Sequence, residues 1–554
     1  MKGFVVRSKK RLGLCDPTYL DDSEPGDSFK GEPVSLADHS RGVADCAAKF
    51  AAGCGLPVEL YYQAGLLHDL GKLDPRFQAM LRQSSPRTAV GKPLAKSANG
   101  PRNKRERDDA RLVHRYPSGA RHELLSCAIL ESSDDDLMHL IATHHGSARP
   151  FADAVVENEA ASSFEVDLFE FKRQMPTSKQ EIATWNAELP ERFWRMVRKH
   201  GWWGSAYREA AFRLADHAQS RAEQEDGWKP ATGQTPPANY AAKAAKPPSY
   251  ELPLPGLDGS NPLAFLAALG TLRLANRAFP GTRLSWESRG TWSAVLHLPQ
   301  EVPTDELVDT LLKNAGVGRR CVSFAPDLKI AASEFQKFER EAVGYARDDR
   351  DFADFIRAFA DPLVTIQAGP NAGKTKPTEF YLIAGQQKML KQALEIAAAA
   401  SVSHLHKCLF DQWVYDDPID GLSLRWDPQD DFRYATRFYN PSKDRSKGKR
   451  GSVLGAHRLA FEGLPFFPCF AVGTRLATTG FTILQRRPFF SWPLWSAPWG
   501  VDAVRSVLTS IEPPKAKAKI QQVVMPKQLG VSAWYQCEKV PNSDYFNFAP
   551  AQVI

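Results

Sequence analysis

The sequence predicts a multidomain protein: an all-α N-terminal domain followed by a mixed α/β (α+β) C-terminal domain. Three observations carry that expectation. The chain has 554 residues, more than a single core usually organises. A Pro/Ala-rich stretch over 229–255, with Pro230, Pro236-Pro237, Pro247-Pro248, Pro253 and Pro255, favours extended backbone and cannot hold a helix. Upstream of it the chain is Ala-rich and reads as helices; downstream, strand-like and helical segments mix. The expected organisation is therefore a domain over 1–228, a linker over 229–255 and a second domain over 256–554.

The helices of the first part follow in order. Over Leu36 to Cys54, Val43, Ala47, Phe50 and Cys54 recur at helical spacing, with His39 one turn before Val43. Pro57 suits the first turn of the next helix, whose stripe is Leu60, Ala64 and Leu67. His68-Asp69 close it, before Gly71 as an expected C-cap. His122 opens a helix through Leu130. Asp134 to Asp136 begin another, as acidic residues should at a helix N-terminus, and His144-His145 end it before Gly146. On the last helix Tyr207, Ala210, Ala211, Leu214 and Ala218 form the expected buried stripe, and Asp216 rides on it. Between the second and third of these helices lies a polar insert, 82–121. Its composition fits either a solvated loop or a basic rim for a phosphate backbone.

Nine of the 13 His fall before residue 218. In order, His39, His68-Asp69, His122, His144-His145 and Asp216 place imidazoles and carboxylates at the ends of successive helices. Such a set can build one pocket for two metal ions, a common device for cutting phosphoesters. Imidazole with carboxylate suits Mn, Fe, Co, Ni or Zn better than an all-oxygen Mg site would. A lone His is usually structural; adjacent His-Asp and His-His pairs in one ordered set are harder to explain that way.

Bulk properties narrow the class. Hydrophobic content of 43% and charged content of 24% are ordinary for a soluble protein. A net charge of +7 permits a polyanionic partner without demanding one. The eight Cys are scattered without a Cys-x-x-Cys pair, which fits reduced thiols in the cytoplasm rather than a disulfide framework. No uncharged apolar run reaches the roughly 18 residues that span a bilayer. Met1 to Leu14 lacks the apolar stretch of a signal peptide, so no membrane partner is expected.

Five words carry a resemblance: Ala37-Asp38-His39-Ser40, Leu66-Leu67-His68-Asp69-Leu70-Gly71-Lys72, Arg121-His122-Glu123, Thr143-His144-His145-Gly146 and Leu214-Ala215-Asp216. In this order they resemble the HD phosphohydrolase superfamily. More narrowly, residues 30–225 look like the HD nuclease domain found with type I CRISPR effector helicases. The resemblance implies an all-α HD domain holding two divalent ions, drawn from Mn, Mg, Ni, Co or Fe. His39, His68, Asp69 and Asp216 would hold one. Asp69, bridging, with His122, His144 and His145 would hold the other. Asp69 and Lys72 would be catalytic, Lys72 as a phosphate-facing cation rather than a surface Lys; Glu123 either orients a neighbouring ligand or is an ordinary acidic residue at a helix start. His122 is preferred to His114, which lies inside the basic insert.

Downstream, Ala368-Gly369-Pro370-Asn371-Ala372-Gly373-Lys374-Thr375 imitates a phosphate-binding loop. Pro377 would break the helix that such a loop needs, and no acidic motor box follows, so it reads as a basic turn. The second half opens with Asp258-Gly259-Ser260-Asn261-Pro262-Leu263-Ala264-Phe265-Leu266. Ser260 or Asn261 can cap the helix that Pro262 starts. This opening is similar to that of CRISPR-associated proteins of type I-G systems, large-subunit-like chains and an extension of the HD nuclease among them. For nucleic acid, the expected contacts are Arg102, Lys104, Arg105 and Arg107 in the insert, and Arg437, Lys447, Lys449 and Arg450 beside Phe438 and Tyr439. Arg486 to Trp492 interleaves aromatics and charge likewise.

The expectation is thus a metal-dependent nuclease degrading single-stranded DNA in type I CRISPR interference, working with an RNA-guided surveillance complex and a separate helicase. The alternatives are an HD phosphohydrolase acting on nucleotides, or a non-catalytic DNA- or complex-binding subunit with a vestigial pocket.

Overall fold

The computed structural model describes residues 33–82, 91–97, 104–117, 120–146, 148–151, 162–177, 188–225, 227–230, 249–315, 320–346, 350–383, 387–418, 422–436, 438–440, 449–510, 531–542 and 545–554. The chain divides into two compact units, 1–246 and 247–554. The first is mainly helical and the second mixes helices and strands.

The first unit starts with β1 (Val34–Ser35) and α1 (Leu36–Gly53), whose N-cap Ser35 accepts from the backbone of Asp38. Leu36, Val43, Ala44, Ala47 and Ala51 face the core, and His39 shares that face. α2 (Val58–Leu67) follows, then a 3-10 turn, Leu70–Leu73, and α3 (Pro75–Arg82). Gly71 lies inside the 3-10 turn rather than capping α2. A Cβ there would overlap the carbonyl of His122, so glycine is required by close approach, not by a left-handed cap. The amide of Gly71 bonds to Ser126 Oγ at 2.8 Å, and that hydroxyl bonds to His122 O at 2.9 Å. The His-Asp turn is thereby fastened to the helix that carries His122.

The expected insert contains ordered elements. β2 (Leu94–Lys96) pairs antiparallel with β1, Val34 opposite Lys96. α4 (Lys104–Val113) is helical. α5 (His122–Leu130) and α6 (Asp135–Thr143) follow, the latter capped by Asp134 through the amides of Asp136 and Leu137. A hairpin joins β3 (Ser162–Leu168) to β4 (Phe171–Thr177). α7 (Leu189–Ala222) completes the unit and kinks at Gly201, whose φ of 73° is left-handed. Its buried face differs from the expected stripe. Tyr207 and Leu214 are exposed, while Ala211, Phe212, Ala215 and Asp216 are buried. The true core stripe includes polar residues, which an apolar count misplaces. Leu67, Leu124, Ile129, Ile141 and Phe212 meet in the common core beneath the helix ends.

In the second unit β5 (Tyr250–Asp258), α8 (Pro262–Ala278), β6 (Arg283–Ser288) and β7 (Trp292–Leu298) build an antiparallel sheet of order β5-β7-β6 with a buried helix. β5 begins inside the stretch expected to be linker: Pro253 and Pro255 sit in an edge strand, where a missing amide is tolerated. Asn261, not Ser260, caps α8 by accepting from Leu263 and Ala264. The loop resembling a phosphate-binding loop connects the antiparallel strands Ala360–Thr365 and Thr375–Pro377, so a strand and not a helix directly follows it. Its Thr375 is buried and donates to Leu328 O at 2.6 Å. A five-stranded sheet lies later in the chain. Phe490 and Trp492, expected as stacking surfaces, are fully buried in its core. Among the described residues, no helix is long and apolar enough to cross a membrane.

Candidate metal centre

Each helix of the first unit delivers its ligand from an end or a buried face. His39 comes from the first turn of α1, His68-Asp69 from the turn after α2, and His122 from the start of α5. His144-His145 follow the last turn of α6, and Asp216 lies on the inner face of α7. All seven converge in one pocket. Their ligand atoms form three close groups: His39, His68 and Asp69; His122, His144 and His145; and His68, His144 and Asp216.

Asp69 stands between the first two groups. Its Oδ2 is 3.3 Å from His68 Nε2 and 3.6 Å from His39 Nε2. Its Oδ1 is 3.1 Å from His122 Nε2 and 3.9 Å from His144 Nε2. Asp216 Oδ1 approaches His39 Nε2 at 3.6 Å, and His145 Nε2 lies 3.0 Å from His122 Nε2. The rings are aimed from behind. His68 Nδ1 donates to Gly65 O at 2.8 Å and His144 Nδ1 to Ile141 O at 2.7 Å, which leaves each Nε2 lone pair pointing inward.

Buried polar atoms are normally satisfied. Here His68 Nε2, His144 Nε2 and both oxygens of Asp69 are buried and lack a partner at hydrogen-bond geometry among the described residues, although the Lys72 ammonium is 2.8 Å from Oδ2. Orphaned acceptors of this kind, converging on one another, fit a divalent cation. The electrostatics agree. Burial opposes ionisation of Asp69, but His68, Lys72 and His122 hold its carboxyl well below the usual range. Asp216 is likewise lowered against burial, by His68, His39 and His144. Burial and neighbouring imidazoles push His144 down to about 4, and His145 also falls well below its ordinary value. Ionised carboxylates, as at Asp69 and Asp216, and neutral imidazoles, as at His144 and His145, are the ligand forms that metals require; His68 differs, because against the lowering effect of burial Asp69 raises it above its ordinary value.

Lys72 does not reach outward: it is buried, with its ammonium on Asp69 and 3.4 Å from Ala95 O. Glu123 is buried and pairs with Arg121, its other oxygen 3.7 Å from His122 Nδ1. His114 is half-buried and belongs to none of the ligand groups. The expected nucleic-acid contacts Arg102, Arg437 and Lys447 lie outside the described residues, as do the side chains of Lys104, Arg105, Arg107, Lys449 and Arg450. The sequence reading missed Glu223, whose Oε1 is 2.8 Å from His39 Nδ1, and Lys96, whose Nζ is 2.9 Å from Glu223 Oε2. Glu223 had one signal: it follows Asp216 by seven residues, two helical turns, on the same face. Lys96 had none.

A helical unit whose His and Asp ligands gather in this order defines a metal-dependent hydrolase of the HD kind. Residues 30–237 match the family model described as Cas3, HD domain, which supports an HD nuclease domain of the kind found in Cas3-type CRISPR proteins over this region. No curated protein matches the chain.

Proposed function

We propose that the chain is a metal-dependent DNA nuclease of type I CRISPR interference, of type I-G, degrading the single strand displaced by guide pairing. The observation that carries this reading is the position of Asp69, whose two oxygens face two separate imidazole groups. His39, His68, Asp69 and Asp216 would hold one ion, and Asp69, His122, His144 and His145 the other. Divalent ions there supply Lewis acidity toward water and phosphate oxygens. The chain's own residues set up that chemistry: His68 and His144 turn their Nε2 atoms inward, Asp69 spans both positions, and Lys72 offsets the negative charge beside it.

Single-stranded DNA is favoured over duplex because nothing in the sequence offers a motor, and the loop that imitates one is a strand-to-strand turn. A separate helicase would open the duplex. The second domain, opening like type I-G subunits, would dock the nuclease on the RNA-guided complex or hold DNA, in the cytoplasm. The test is purified protein with Mn²⁺ and single-stranded DNA, comparing wild type with His68→Ala and Asp69→Ala. Strand scission lost in both variants supports the reading. Equal cutting by all three refutes it, and phosphate release from nucleotides without scission would favour a nucleotide phosphohydrolase.

A further inference from the structure

We infer that Glu223 and Lys96 form a buried positioning pair that orients His39, and so sets the affinity of the metal position made by His39, His68, Asp69 and Asp216; this rests on the proposed reading of the pocket. His39 differs from His68 and His144. Their outer nitrogens are held by backbone carbonyls of their own helices, which any sequence would supply. The outer nitrogen of His39 is held by a side chain 184 positions away, with Glu223 Oε1 at 2.8 Å and Oε2 at 3.1 Å. A carboxylate acceptor fixes the Nδ1–H tautomer, turns the Nε2 lone pair toward Asp69 and Asp216, and raises its basicity.

A lone buried carboxylate would be costly, and Lys96 removes that problem. Its ammonium sits 2.9 Å from Glu223 Oε2 and 3.4 Å from Ser220 O, while Gln219 Nε2 donates to Oε1 at 2.9 Å. The side chains of His39, Glu223 and Lys96 are each no more than 2% exposed. The backbone gives the same grouping a frame. Lys96 pairs with Val34, two residues before α1 begins, so one ladder sets both the ligand helix and its support. α7 then brings Asp216 to the pocket and Glu223, two turns on, behind His39.

A second buried pair serves as a control. Glu209, on α7, binds His139 Nε2 at 2.6 Å, and His139 belongs to none of the ligand groups. The experiment uses the full chain, with Mn²⁺ affinity by equilibrium dialysis, melting temperature, and long-range ¹H–¹⁵N spectra of the metal-free histidines. Glu223→Gln keeps the shape but loses the charge. It should weaken one Mn²⁺ position roughly 10- to 100-fold and leave His39 in mixed tautomers. Lys96→Met should weaken the same position less. Glu209→Gln should lower the melting temperature yet bind Mn²⁺ as wild type does. Wild-type Mn²⁺ affinity in both Glu223→Gln and Lys96→Met, or an Nε2–H tautomer of His39 in the wild type, would overturn the inference. If wild type binds no Mn²⁺, the reading of the pocket falls; the tautomer spectra still decide whether Glu223 orients His39.

Discussion

In the second unit Glu462 is fully buried, and each of its oxygens has an arginine: Arg273 Nη1 at 2.8 Å and Arg458 Nη1 at 3.1 Å. In the first unit Asp69 is as deeply buried, yet neither of its oxygens has a partner at hydrogen-bond geometry among the described residues. Both carboxylates are charged groups removed from water, which is unfavourable unless they are compensated. Glu462 is compensated by the chain itself and ties α8 to the helix Leu454–Gly463. Asp69 has only Lys72 beside one oxygen, and its other neighbours are imidazoles aimed at the same point. A closed network holds a fold together; an open one of converging acceptors is built to be completed by a cation.

The contrast can be broken most severely at Asp69. Asp69→Ala should reduce Mn²⁺ binding and DNA cutting by more than roughly 100-fold, beyond the range for supporting residues, while melting stays cooperative. Equilibrium dialysis and a nuclease assay read both effects. Glu462→Ala should act in the opposite sense. Arg458 would lose its carboxylate and Arg273 would keep only Asp351, which should destabilise by about 3–5 kcal/mol in urea titrations, with Mn²⁺ affinity unchanged. If it also lost metal, the two networks would not be independent.

A smaller effect should follow from the ion itself. Mn²⁺ at 100 times its dissociation constant should stabilise the protein by about 2.7 kcal/mol, and a chelator should reverse this. Glu462→Ala should keep that increment and Asp69→Ala should lose it. The smallest effect concerns pH. Burial, with Asp430 nearby, raises Asp427 to about 6. A carboxyl raised above its unfolded value of about 3.9 contributes stability that is full below that value. The contribution is lost as pH rises through about 6. Urea titrations from pH 4 to 7 should show it, and Asp427→Asn should flatten that part of the profile.

The ligand words were legible because chemistry-bearing residues stand at helix ends, where the pattern of apolar residues breaks off visibly. His68-Asp69 and His144-His145 lie where that pattern placed them. What closes around them was not legible. On α7 the buried face carries Glu209, Asp216 and Gln219, with Glu223 at the C-cap, so an apolar stripe drawn through Tyr207 and Leu214 falls on the solvent side. Lys96 stands in a polar insert whose composition says loop, and only its pairing with Val34 gives it a place. The linker's end was obscured by Pro253 and Pro255, which an edge strand accommodates.

The central claim is that Asp69 joins two metal positions in one pocket. The most direct measurement counts Mn²⁺ bound per chain at saturation in wild type and Asp69→Ala. The account predicts two ions in wild type and neither held tightly in the variant; a single ion in wild type, or two still bound by Asp69→Ala, would contradict it.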